Sequence, residues 1–549
     1  MSIDLSLERL RKLVSHLPSY TRPTLHIAGT NGKGSVSALL TSILLNSDPP
    51  VSVGRFNSPH LVSIYDSITL NNVPVSPSLY NVIRAEVEDA DKKHETKLSS
   101  FEIVTLVALQ VFEKFHVDIV VLEVGMGGRL DATNIVSDET IAVSALTAVD
   151  LDHQSFLGGT VIKIAEEKAG IARTGRPFVL GTQKHEGVHE AVQGVLKRLG
   201  SVKLVNAVKV QLREWDVALD GPKPLPFSLI SNGDTFHPPP PQSVTVSLSY
   251  FSDPVNALLP LQGAHQLDNL GTALTVINEL LDFQPLPSVV PLNLGQRITV
   301  QTIARGIKNV NWPGRLSFHT IYVSSGLSTG KYVTAQSAPM LRTSSPDQTI
   351  YPLVILADGA HNVGSAETLG QYVTHLLELN IESMLASDKY SRTTSIDIDI
   401  TYILALSQSP PKTPLQTLSP ILPPKLPAAS AMTINLNVAA ALLRFTQPEG
   451  MPWINSVPPE EIEDVVRSLV PDADIFTIRD SPLSAFSAPG IKNFVLEAAL
   501  QWVAQRRDRD EEQSKEVPAR LELVVLAGSL YLVADFYRIL NFDPATCTR

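Results

Sequence analysis

Four times the chain runs through a short unbroken stretch of aliphatic residues straight into a glycine turn. The stretches are Leu25 to Ala28 before Gly29, Ile119 to Val124 before Gly125, Leu353 to Ala357 before Asp358 and Gly359, and Leu523 to Ala527 before Gly528. A strand with one wet face alternates apolar and polar residues, so unbroken runs predict strands buried on both faces, as in parallel sheets. Between them lie helix-length segments such as Phe101 to Phe115, where Phe101, Val104, Ala108, Val111 and Phe115 recur every three or four residues. Strand, glycine turn and helix in alternation predict an α/β fold with parallel, doubly wound sheets. No repeat of fixed period is present, which excludes a solenoid.

The 549 residues exceed one ordinary core at roughly 150 residues per domain. A compact segment, Asn311 to Leu316, precedes a Ser, Thr and Gly-rich stretch from Ser324 to Gln348. The expected domains are therefore 1–316 and a smaller 317–549. Of the 40 prolines, nine lie between Trp215 and Leu261 and seven between Ser407 and Pro427. Proline lacks a backbone donor and fixes φ, so neither proline run is expected to sustain a helix or a central strand, and surface insertions are expected at about 215–261 and, of low complexity, about 385–430.

Composition removes several function classes. With 44 Lys and Arg against 55 Asp and Glu, the net charge of −11 gives no pull toward nucleic acid. A single cysteine, Cys547, excludes an internal disulfide or a cysteine zinc site and points to an intracellular protein. No stretch has the 18 or so uncharged apolar residues of a membrane span. Residues Met1 to Val14 read as an amphipathic helix, with Asp4 and Glu8 opposing a mitochondrial address, so the cytosol is expected.

The chemistry-bearing residues fall after the strands. Gly29, Thr30, Asn31, Gly32, Lys33, Gly34 and Ser35 lie between a strand and the apolar helical pattern Val36 to Leu45. Glycines let the backbone curl so that N–H groups face an anion, and a helix N-terminus adds a favourable dipole. The G-x-x-x-x-G-K-[ST] spacing is not kept, but strand before and helix after favour phosphate binding over a plain turn. Lys33 would meet the β- and γ-phosphates. Glu123 closes the run Asp118 to Val124, and His153 follows the run Ile141 to Val149. In a parallel sheet ligands sit beyond the carboxyl ends of strands, so both could serve Mg²⁺; a buried ion pair and a structural histidine are the alternatives. Ser58 follows a short strand around Val51 to Phe56 and could bring a hydroxyl to the same edge. Lys168 reads either as a helix-surface lysine or as a buried amine able to capture CO₂ as a carbamate.

In order, ten segments resemble the folylpolyglutamate synthase and dihydrofolate synthase family, relatives of the Mur ligases. They are His26 to Ser35, Ser58 to Leu61, Ser100 to Glu102, Leu122 to Asn134, Leu151 to Gly158, Glu167 to Ile171, Gly263 to Asn269, Trp312 to Arg315, Asp358 to Asn362 and Gly528 to Tyr531. The resemblance covers almost the whole chain outside the proline-rich stretches. It implies a P-loop ATP-binding domain of Mur-ligase type with a smaller C-terminal Rossmann-like domain, ATP held between them, and ATP-dependent amide formation between a pteroate-type carboxylate and the α-amino group of glutamate. It further implies Ser58, Glu123 and His153 as Mg²⁺ ligands, a carbamylated Lys168, and nucleotide contacts from Asn269, Arg315 and Asp358. Ser99, Ser100, Phe101 and Glu102, with Leu130, Asp131 and Ala132, are implied to border the pterin. His361 and Ser529 fall to the glutamate side, His361 as the acceptor of the amine's proton. The implied partners are small molecules only, for a monomer. Two departures favour the first glutamate addition, to dihydropteroate, over polyglutamylation of tetrahydrofolate. Asp66 to Asn72 stands where polyglutamate synthases carry a Glu-Arg-type pair, and Glu449 to Trp453 is similar to a segment of fungal dihydrofolate synthases. Ser407 to Pro427 lacks the short Gly-Lys turn common in relatives.

Overall fold

The structure, a computed structural model, describes residues 6–229, 236–282, 292–324, 333–334, 350–385, 395–426, 433–451, 453–477, 494–513 and 519–540. Cys547, most of Ser324 to Gln348 and the first five residues lie outside them. The chain divides into two compact units, one containing Met1–Lys223 and Pro241–Trp312, the other Pro224–Pro240 and Pro313–Phe542.

The first unit is built on strands β1 (Thr24–Ala28), β2 (Val53–Phe56), β3 (Ile68–Leu70), β4 (Val73–Pro74), β5 (Ile119–Glu123), β6 (Ile141–Leu146), β7 (Pro177–Leu180) and β8 (Lys203–Asn206). They form one sheet in the order β4-β3-β2-β5-β1-β6-β7-β8. From β2 to β8 every pairing is parallel; β3 and β4 add an antiparallel edge. As the unbroken apolar runs predict, β1, β5 and β6 are buried along their whole length. One face packs on the helices Lys33–Leu45, His265–Leu281 and Val300–Lys308, the other on Pro77–His94 and Ser100–Lys114. Strand β1 lies between β5 and β6, so chain order reverses around it; the loops after β1, β5 and β6 meet at that switch point.

The proline-rich stretches differ from expectation. In the same unit β9 (Gln211–Leu212), β10 (Gln242–Val246) and β11 (Val255–Leu259) make a small antiparallel sheet with β10 at its centre. Strand β10 starts directly after Pro241 and ends before Pro254, so no proline falls where a ladder donor is needed. Residues 224–240 belong to the second unit, where Phe227 and Phe236 each lie 5.7 Å from Phe318 and the Leu229 amide donates to Asn380 Oδ1 at 2.9 Å.

The second unit holds β12 (Ser317–Ser324), β13 (Val333–Thr334), β14 (Ile350–Ala357), β15 (Ser395–Leu404), β16 (Thr433–Leu442), β17 (Asp474–Thr477) and β18 (Ala519–Ala527), in the order β13-β12-β14-β18-β15-β16-β17. From β14 to β17 the pairing is parallel. Strand β15 corrects the second expected insertion: ten residues inside 385–430 are an interior strand between β18 and β16. No helix among the described residues is long and apolar enough to cross a membrane.

Candidate active site

In the first unit the phosphate loop is pinned from beside β6. The amides of Thr30 and Asn31 both donate to the Ala148 carbonyl, at 2.9 and 3.1 Å, and Thr147 Oγ1 donates to the Asn31 carbonyl at 2.8 Å. Those two amides are therefore not offered to a ligand, which narrows the expected cradle. Gly32, at φ +93°, turns the chain into the helix Lys33–Leu45, and a side chain there would overlap Asn269 Oδ1. The amides of Lys33, Gly34 and Ser35 head that helix without an acceptor of its own, the arrangement an oxyanion needs. Asn269 donates to Gln266 Oε1 at 2.9 Å and Gln266 to Ser35 Oγ at 3.2 Å, which docks the helix His265–Leu281 on the loop.

Glu123, the last residue of β5, is buried, with Lys33 Nζ 3.8 Å from Oε1 and Asn57 Nδ2 donating to Oε2 at 2.5 Å. Asn57 was not a sequence candidate, although it is the residue before Ser58. The Ser58 hydroxyl is sealed from solvent and has no hydrogen-bond partner. A buried hydroxyl normally finds a partner, so an unsatisfied one on the residue after Asn57 is free to take a ligand. Mg²⁺ takes oxygen donors, commonly one or two protein groups with phosphates and waters completing the shell, and Ser58 with Glu123 fits that donor set. His153 sits on the loop after β6 at φ +50°, its side chain 44% exposed and 3.8 Å from Asp152. Among the described residues no three His, Cys, Asp or Glu side chains converge as a metal-holding group, so phosphate oxygens and waters would complete a shell begun by Ser58 and Glu123.

Lys168 decides between its two readings. It lies near the end of the helix Val161–Ala169, is 4% exposed, and donates from Nζ to the Gly29 carbonyl at 2.8 Å. Burial, reinforced by Lys33, pushes its ammonium down to about 7 against the pull of Asp152 and Asp131. It is not a surface lysine.

Several expected substrate-side residues spend their polar atoms on the fold. Ser99 and Glu102 form a reciprocal cap on the helix Ser100–Lys114. Phe101 packs near Phe56, and a Cβ on Gly125 would press on its ring. Asp131, between Leu130 and Ala132, accepts from the Met126 amide at 2.8 Å and the Thr133 amide at 2.9 Å, holding the glycine turn; burial still pushes its carboxyl up.

In the second unit the same strand ends are furnished. Asp358 accepts from the Ala360 and Leu316 amides, both at 2.8 Å, and burial raises its carboxyl against the pull of Arg315. Arg315 donates to the Gly314 carbonyl at 3.0 Å. His361 Nδ1 lies 3.0 Å from the Gly359 carbonyl, which places the proton on Nδ1 and makes Nε2 the ring's acceptor. Ser529 caps the helix Leu530–Ile539 through the Tyr531 amide. Lys412, after β15, donates to the His361 carbonyl at 2.5 Å; it has no place among the expected residues because it sits among prolines far along the chain.

Several known proteins are similar to this chain over nearly its whole length. A family profile described as dihydrofolate synthetase, C-terminal domain, matches residues 344–539. Dihydrofolate synthetase of Saccharomyces cerevisiae is 30% identical over 549 residues, covering 98% of this chain and 99% of the relative. Among solved structures, Mycobacterium tuberculosis folylpolyglutamate synthase complexed with ADP and AMPPCP superposes with a TM-score of 0.64 at 22% identity, covering 98% of this chain and 96% of that one. Escherichia coli FolC in complex with DHPP and ADP gives 0.61 at 22% identity, covering 98% and 94%. These two share the fold.

Proposed function

The chain belongs to the dihydrofolate synthetase family, and from that membership we propose that it is an ATP-dependent ligase joining dihydropteroate to the α-amino group of L-glutamate, acting as a cytosolic monomer. The observation that carries this reading beyond the family is buried Glu123, 3.8 Å from Lys33 Nζ at the head of its helix and bonded by Asn57, with the sealed, unpartnered Ser58 hydroxyl on the next residue of the chain.

A carboxylate does not acylate an amine at neutral pH, so its oxygen first attacks the γ-phosphorus of ATP, giving an acyl phosphate and ADP. Positioning and charge neutralisation dominate such a transfer. Lys33 and the amides of residues 33–35 hold the phosphates, and Asn269 keeps the loop closed from behind. Ser58 and Glu123, with His153 as the third proposed ligand, would hold Mg²⁺, which would supply positive charge against the phosphates. The Lys168 amine, about half neutral at pH 7, adds to CO₂ and releases a proton, giving a carbamate whose oxygens would be further donors for the metal. Arg315 and Asp358 are assigned to the nucleotide, and Leu130 to Ala132 with Ser99 to Glu102 to the pterin, on the family resemblance.

In the second half-reaction the glutamate nitrogen attacks the acyl carbon, phosphate leaves, and the amine's proton goes to His361 Nε2. Lys412 holds that histidine's carbonyl, and Ser529 is assigned to the glutamate side on the family resemblance. His361→Ala is expected to lower turnover at saturating glutamate by about 10²-fold, the usual scale for a general base, while nucleotide affinity stays unchanged. Unaltered turnover would remove the base role.

The acceptor is tested by ADP release with dihydropteroate or tetrahydrofolate, each with and without glutamate. Turnover with dihydropteroate is expected; turnover with tetrahydrofolate alone identifies a folylpolyglutamate synthase, and with both a bifunctional enzyme. Magnesium-dependent ATP binding without glutamate-dependent release would mark a regulator that kept the fold and lost the chemistry.

A further inference from the structure

Strand β2 carries a charged residue that the mechanism above does not use. Arg55 is 8% exposed, and its Nε is sealed from solvent without a hydrogen-bond partner. Its terminal nitrogens donate no hydrogen bond among the described residues either. Directly across the antiparallel pairing with β3 stands Thr69, 3% exposed, whose hydroxyl is also buried and unpartnered. Cross-strand partners share a face, so two unsatisfied polar groups lie side by side.

Side-chain alternation fixes which face. Phe56 belongs to the core under the helix Ser100–Lys114, and a Cβ on Gly54 would strike Phe112 of that helix. Val53 packs in the opposite core, under the helix Lys33–Leu45, and Arg55 shares its side. There the guanidinium carbon lies 5.2 Å from the centre of the Trp312 ring. That ring presses on Gly34, where an added Cβ would come within 2.5 Å of Cζ2. Arg55 is thus stacked behind the first turn of the phosphate-binding helix. Burial pushes its guanidinium down to about 10, opposed by Glu123 and Asp66, and it stays charged at neutral pH.

A buried guanidinium without a hydrogen bond is expensive, because its lost hydration is not replaced. Glu123 and Asp66 act on it through space, yet neither accepts from it. Asp66 is engaged by the amides of Leu61, Val62 and Ser63 at 2.7–2.8 Å, and Glu123 by Asn57. The cost is removed when an oxyanion enters on this face. The negative charge of a nucleoside triphosphate remains only partly neutralised by magnesium and Lys33 in this unit, so the site has use for a further cation.

We propose that Arg55 is a nucleotide-contacting residue whose guanidinium takes an oxygen of the terminal phosphoryl group, with Trp312 holding the guanidinium plane beside Gly34. The proposal rests on reading this unit as the nucleotide site. A contact confined to the terminal phosphoryl group separates nucleoside triphosphate from diphosphate, a distinction that a purely structural arginine does not make.

The test is calorimetric titration of the full chain, in magnesium, with the non-hydrolysable triphosphate AMPPNP and with ADP, on wild type, Arg55→Met and Arg55→Lys. A hydrogen bond to a charged group predicts a loss of about 10- to 100-fold in AMPPNP affinity for Arg55→Met, with ADP weakened less than about threefold. Arg55→Lys, which keeps the charge and loses the fork, falls between. If both nucleotides weaken by one common factor, or neither weakens, the proposal is overturned and Arg55 only supports Trp312. Thermal unfolding checks each variant; should Arg55→Met not fold, Arg55→Lys against wild type carries the same ratio test. A wild type that binds neither nucleotide overturns both this proposal and the ligase reading. A wild type that binds both but releases no ADP with dihydropteroate and glutamate overturns the ligase reading alone.

Discussion

Lys168→Met is expected to cost ligase turnover about 10²-fold or more while making the folded protein more stable below neutral pH. The two effects have one origin. The folded ammonium titrates near 7 because burial and Lys33 disfavour its charge, whereas in the unfolded chain it titrates at 10.5. At pH 7 about half the buried amine is neutral and able to attack CO₂, against roughly one part in a few thousand for an ordinary lysine. Between 7 and 10.5 the unfolded chain holds the proton and the folded protein does not, so stability rises with pH across that window. Below 7 both states are protonated and the full cost of a buried charge is present. At about 1.4 kcal/mol for each pH unit between the folded and unfolded titrations, that cost amounts to several kcal/mol, and methionine removes it. Denaturant melts at about pH 6 and about pH 10 should therefore show Lys168→Met ahead of wild type in the acid sample, with the gap closing in the alkaline one. Turnover of the wild type should also fall in bicarbonate-depleted buffer and recover on adding it back. Equal melts at both pH values and full activity in the variant would refute the assignment.

Lys33→Met should lose about 10³-fold in turnover with little change in fold. The side chain heads its helix, with one long contact to the Thr30 carbonyl at 3.4 Å and Glu123 at 3.8 Å. Neither contact is short enough to contribute much to stability, so the ammonium is positioned for a ligand. Removing one group that neutralises developing charge in a water-poor site costs about 10²–10³ in rate. Single-turnover measurement of ADP formation at saturating ATP isolates this step from glutamate attack. A variant that forms ADP at the wild-type rate would transfer the role elsewhere, with Arg55 the first place to look.

The strands that build both sites were readable because each is buried on two faces and so is apolar without interruption. Strand β15 escaped because its first half alternates: Ser395, Asp397 and Asp399 interleave with isoleucines. The two aspartates are satisfied across strands, by Asn435 and Asn437 at 2.8 and 3.1 Å and by Arg520 at 2.5 Å. Those partners are 38 and 121 residues away, and no local pattern reports them. The prolines misled for a related reason: their prohibition is positional, and a five-residue strand fits between Pro241 and Pro254. Around the proposed site, the placement of residues carried by a motif is legible: Lys33 heads its helix, Glu123 ends β5 and Lys168 lies near the end of its helix. The contacts of Asn57, Arg55 and Lys412 are not, because strand register and loop placement create them. Ser99, Glu102, Asp131 and Ser529 were legible as important, yet their side chains shape the backbone beside the site.

The Ala148 carbonyl, which receives two successive loop amides, has a thermodynamic consequence. A glycine-rich loop left to itself samples many conformations, and fixing each residue on binding would cost about 1–2 kcal/mol. Here Thr30 and Asn31 are already immobilised from the neighbouring strand end, and the Thr30 hydroxyl exchanges hydrogen bonds with Asp150 at 3.0 and 3.1 Å. That entropy is lost when the sheet folds. The energy of nucleotide contacts is then left to orient the phosphates, in a receptor that is preorganised before its ligand arrives.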